Sequence, residues 1–75
     1  MNSPKLTAVI NREEKYYVSL CPELDIASQG ETIDEARRNL AEAVKLFLEV
    51  ASEKEVARRL STSEFHISSL EVGVG

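Results

Sequence analysis

Cysteine and histidine occur once each in these 75 residues, as Cys21 and His66. One cysteine excludes a disulfide within the chain, and one of each without ligand spacing argues against a structural metal. No apolar run reaches the roughly 18 residues a bilayer helix needs. Met1-Asn2-Ser3-Pro4-Lys5-Leu6 lacks the charged region and apolar core of an export signal. A lone thiol without such a signal predicts a cytoplasmic protein. No internal repeat and no low-complexity segment interrupts the chain. Residues 1–75 therefore read as one domain, and a domain this short buries only about 60% of its unfolded surface. With disulfides and metal set aside, self-association or a stable partner is the expected remedy.

Basic residues are missing from one stretch. Residues 23–35 carry Glu23, Asp25, Glu31, Asp34 and Glu35 with no Lys or Arg. Elsewhere nine basic residues face eight acidic ones, so this segment accounts for the net charge of −4. The pattern predicts negative charge gathered at one end of the molecule. Acids in a first helical turn favour the positive helix end, which covers Asp34 and Glu35. That argument does not reach Glu23 and Asp25, and an acidic docking patch for a basic partner is the other reading.

Lys5 to Ile10 alternates, with Leu6, Ala8 and Ile10 on one face, and reads as a strand. Asn11-Arg12-Glu13-Glu14 is a turn of hairpin length. Lys15 to Cys21 is a second strand, antiparallel to the first. Tyr16, Val18 and Leu20 share one of its faces, and Tyr16 is expected in the core. Pro22 ends this strand. Ile26-Ala27-Ser28-Gln29 is a brief third strand, and Gly30 is expected to supply a backbone conformation that a Cβ resists.

Thr32-Ile33-Asp34-Glu35 matches a capping box. Behind it Ile33, Ala36, Leu40, Ala43, Phe47 and Val50 form an apolar stripe, widened by Val44 and Ala51. A helix to about Ser52 follows, laid on the sheet. Its outer face predicts ion pairs Glu35–Arg38, Arg38–Glu42, Glu42–Lys45 and Lys45–Glu49. Ser52-Glu53-Lys54-Glu55 is a second cap, opening a short helix through Leu60 with Arg58 and Arg59 at its end. Phe65 to Val72 is a last strand with a bulge at Ser68-Ser69.

Strand, strand, short strand, long helix, short helix, strand is an α+β order. Tyr17-Val18-Ser19-Leu20-Cys21-Pro22-Glu23-Leu24, then Ser28-Gln29-Gly30-Glu31-Thr32, then Glu35-Ala36 and Asn39-Leu40, closely resemble the HicB-like antitoxin family over roughly residues 5–50. Leu24-Asp25-Ile26 stands where many members have Leu-Pro-Gly-Cys. The 75 residues also leave no room for the DNA-binding domain that full antitoxins often add. The resemblance implies a partial RNase H-like unit, with one long helix across an antiparallel sheet. It implies a protein that binds and neutralises a small basic, mRNA-cleaving HicA-type toxin and forms homodimers or higher homo-oligomers.

The chemistry read from the residues agrees with a binding role without cofactor. Metal-dependent cleavage needs converging carboxylates, and Glu23, Asp25 and Glu31 are the candidates. RNase H-like enzymes draw their acids from a larger sheet, so the chain is expected not to be an enzyme. Nothing near Cys21 would activate its thiol, so a structural role is expected, and His66 reads as a plain strand residue. Direct nucleic-acid binding is not expected, because the acidic end repels phosphate and Arg37, Arg38, Arg58 and Arg59 read as halves of ion pairs. The expected contact surface is Glu23, Asp25, Glu31, Asp34 and Glu35, whose carboxylates would pair with toxin arginines. The alternative is a stand-alone homo-oligomeric module with no toxin partner.

Overall fold

The computed structural model describes residues 6–62, 70, 71 and 73. They form a small α+β fold. Strands β1 (Val9–Arg12), β2 (Tyr17–Cys21) and β3 (Ile26–Gly30) precede helices α1 (Ile33–Val50) and α2 (Glu53–Thr62). The sheet is antiparallel in the order β1-β2-β3. Val9 faces Leu20 and Arg12 faces Tyr17 across the first pair; Cys21 faces Ile26 and Tyr17 faces Gly30 across the second. The expected last strand, Phe65 to Val72, falls outside the described residues except for Leu70 and Glu71, which have no regular structure.

Both hairpin boundaries shift along the chain from the sequence reading. The loop is Glu13–Tyr16, closed by the Glu13 amide donating to the Tyr16 carbonyl at 2.7 Å. Residues 6–8 lie outside the ladder and are held instead by a carboxylate described below.

The buried face of β2 is opposite to the one expected. Ser19 and Cys21 are buried and Tyr16 is 40% exposed. The helix lies on the Tyr17-Ser19-Cys21 side, and the apolar alternation Val18, Leu20 falls on the other. Ser19 is tolerated there because its hydroxyl donates to the Ala36 carbonyl at 2.8 Å, which keeps the buried hydroxyl paired. Cys21, Leu24 and Leu40 make the core, with Leu6, Ile26, Val44 and Phe47 packed around them.

The capping box forms with one change. Thr32 Oγ1 accepts from the Glu35 amide at 3.0 Å, but Glu35 reaches back to the Glu31 amide rather than to that of Thr32. Gly30 has no left-handed backbone; its role is steric. A Cβ there would stand 2.5 Å from the Ala36 nitrogen, so glycine lets β3 run directly under the start of α1. Among the described residues the left-handed one is Asp25, at φ 55°, a conformation aspartate tolerates in turns.

Helix α1 outruns the sheet. Its 18 residues span about 27 Å, whereas a five-residue strand spans about 17 Å. The ends of the expected stripe therefore hang free: Ile33 and Val50 are exposed, Val50 at 74%. The ion pairs expected along its outer face do not form. Arg37 pairs with Asp34 at 3.4 Å instead, and the other ion pairs among the described residues join Glu55 to Arg58 and Arg59 on α2. The cap of α2 forms as expected, with the Glu55 amide donating to Ser52 Oγ. Arg59 folds α2 onto the body, donating to the Leu24 carbonyl at 2.7 Å with its guanidinium 4.6 Å from the Phe47 ring centre.

Candidate functional site

The five acidic residues singled out by the sequence do not converge. Asp25 and Glu31 flank opposite ends of β3, six residues apart along an extended chain, or about 20 Å. Glu23 and Asp25 belong to the β2–β3 turn. Glu31, Asp34 and Glu35 belong to the start of α1. The single acidic end expected from the sequence is two separate groups.

Glu23 is a framework residue. Its carboxylate accepts from the Thr7 amide at 2.9 and 3.0 Å and from the Thr7 hydroxyl at 2.6 Å. The Cys21 thiol adds a longer contact at 3.6 Å. Partial burial, the largest single influence, works to raise the Glu23 pKa. The hydrogen bonds from Thr7, its own amide and Cys21 together outweigh it and hold the carboxyl below its ordinary value. Burial first, and then the neighbouring Glu23 charge, push the Cys21 thiol up, which disfavours the reactive thiolate. Asp25 is exposed beside this clasp.

The group at the head of α1 has a different character. Glu31 and Asp34 are exposed, and the Asp34 side chain keeps 89% of its surface despite Arg37. Glu35 is half-buried, and its carboxylate accepts from the Glu31 amide. Two shallow concavities flank Glu31. One, of about 460 Å³, lies between Tyr17, Thr32, Ile33 and Asp34. The other, of about 500 Å³, is bounded by Lys15, Tyr16, Gln29 and Asn39. The head of α1 thus combines carboxylates with two tyrosines and an exposed isoleucine. Carboxylates here can accept from arginine or lysine while the rings supply apolar contact, tyrosine being a residue enriched at protein interfaces.

Sequence reasoning missed Tyr16 and Ile33 as surface residues. Tyr16 ends the loop before β2 and lies off the strand's buried Ser19–Cys21 face, which leaves its ring exposed. The other candidate sites stay apart. Arg59 lies against Phe47, ten residues along α1 from Arg37, or about 15 Å. Among the described residues no group of three His, Cys, Asp or Glu side chains is placed to hold a metal ion, and no helix is long and apolar enough to cross a membrane. Comparison with protein-family models, curated proteins and solved structures returns no match.

Proposed function

We propose that this chain is a non-catalytic, cytoplasmic HicB-like antitoxin, or a solitary relative of one, with a partial RNase H-like fold. In this reading it binds a small basic HicA-type toxin and occludes the surface that the toxin uses for RNA. The observation that carries the proposal is the exposed head of α1, where Glu31 and Asp34 stand beside Tyr16, Tyr17 and Ile33. Carboxylates would imitate phosphates for the toxin's arginines, and the apolar neighbours would add contact that phosphates lack. Glu35 would contribute charge to this surface. Asp25 would serve as a second, separate contact, with Glu23 holding its turn in shape.

The test is co-expression with any short basic protein encoded beside this gene. The proposal expects that protein alone to arrest growth and degrade mRNA, and this chain to relieve both while co-purifying with it. Growth arrest that persists despite stable co-expression contradicts the proposal.

The second reading, a homo-oligomeric module without a toxin, is favoured by a different observation. Leu46 and Val50 are 61% and 74% exposed, whereas the buried apolar residues among those described are only Cys21, Leu24, Ala36 and Leu40. A solitary gene and a pull-down that recovers only this chain would support it.

A further inference from the structure

Helix α2 is built to form without help from the rest of the fold. At the end of α1, Ala51 turns to extended backbone while its amide still donates to the Phe47 carbonyl at 2.8 Å. Ser52 then opens α2 by itself. Its Oγ accepts from the Glu55 amide at 3.1 Å and its carbonyl from the Val56 amide at 3.0 Å. Two residues, Ala51 and Ser52, thus separate two helices, and the second carries its own cap.

This helix sits lightly on the body. Helix α1 packs along β3 and β2, whereas α2 has no comparable backbone packing on any described element. From Glu53 to Ser61 no residue is buried, and Glu55, Val56 and Arg59 are the half-buried ones. Arg59 supplies the long-range tie, donating to the Leu24 carbonyl 35 residues away in sequence. Its guanidinium also lies against the Phe47 ring. Glu55, one turn earlier, accepts from the Arg59 Nε at 3.2 Å and so aims the fork.

The other end of this tie is a turn with little else to hold it. Leu24 belongs to the β2–β3 turn, its amide donates to the Cys21 carbonyl at 3.3 Å, and Asp25 beside it is left-handed. Glu23 braces the turn through Thr7, and Arg59 braces it through Leu24.

We propose that α2 is a strap latched by Arg59, which opens as a unit while the sheet and α1 stay folded, and that its opening loosens the β2–β3 turn. Elements with little burial are the ones that open locally. A hydrogen bond from a charged donor, with an aromatic ring against it, is a strong enough tie to set when this one does. The two acidic groups then differ in kind. Asp25 stands on a turn whose order depends on the strap, whereas Glu31 and Asp34 stand at a helix start closed locally by Thr32. The coupling runs both ways: a ligand that favours the ordered turn also holds the strap shut. The device does not depend on what binds either group.

Hydrogen exchange on the full-length chain, read amide by amide by NMR in the wild type and in Arg59→Ala, tests this. Val56 to Ser61 report the strap, Leu24 the turn, Glu35 and Ala36 the head of α1, and Leu40 to Phe47 the body. In the wild type the strap is expected to exchange about tenfold or more faster than the body. Arg59→Ala is expected to speed the strap and the Leu24 amide by a further factor of about ten or more, the scale of losing a hydrogen bond from a charged donor. The head of α1 and the body are expected to stay at wild-type rates. A wild-type strap that exchanges as slowly as the body overturns the proposal, as does an unchanged Leu24 amide in Arg59→Ala. Equal acceleration of all four sets in Arg59→Ala also overturns it, because α2 would then be part of the core.

Discussion

Glu23 joins two parts of the chain that the ladder does not join. Its carboxylate takes both donors of Thr7, pinning the segment before β1 against the β2–β3 turn. Glu23→Gln should cost about 1–2 kcal/mol in urea unfolding at pH 7, at or below the low end of what hydrogen bonds to a charged group contribute, because the site is partly exposed. Because folding lowers this pKa, the unfolded chain binds the proton more readily. The contribution is therefore full above the ordinary glutamate value of about 4.3 and fades as pH falls through the lower folded value. Wild type and Glu23→Gln should differ less at pH 3 than at pH 7. A constant difference would mean that the carboxylate charge plays no part. Gly30 makes a separate case, because the atom that a Cβ would meet is backbone at 2.5 Å. Gly30→Ala should destabilise by about 1–3 kcal/mol through overpacking, a loss readable as a lower urea midpoint.

At the scale of elements, the helix caps were legible because capping is local. Thr32 and Ser52 each accept from an amide three residues ahead, and Thr32→Ala should cost about 1 kcal/mol, measured by thermal unfolding. The burial face of β2 was not legible. Val18 and Leu20 look like core, yet Ser19 and Cys21 are the buried pair, because a hydroxyl that finds the Ala36 carbonyl costs little to bury. The free ends of α1 were not legible either, since a helical stripe says nothing of how long the sheet beneath it is. The residues that suggested a HicB-like chain have structural tasks here. Glu23 clasps Thr7, Gly30 admits the helix, and Asn39 donates to the Gln29 carbonyl at 2.7 Å. They therefore speak for a fold more strongly than for a partner. The proposed partner surface uses residues around them, and Tyr16 joins it because it is exposed rather than in the core.

For the whole molecule, the net charge of −4 is divided between a turn whose Glu23 is occupied internally and an open head of α1. Charge steering then belongs mainly to Glu31 and Asp34. Reversing both to Lys should slow association with a basic partner by about tenfold or more at low salt, with a smaller effect at high salt as screening shortens its reach. Asp25→Lys alone should slow it less. The measurement that tests this account most directly is a tagged pull-down from the native host, with wild type and the Glu31→Lys/Asp34→Lys variant as parallel baits. The account predicts stoichiometric recovery of a small basic protein by wild type and its loss from the variant. Equal recovery by both baits, or recovery of nothing but the chain itself, would contradict it.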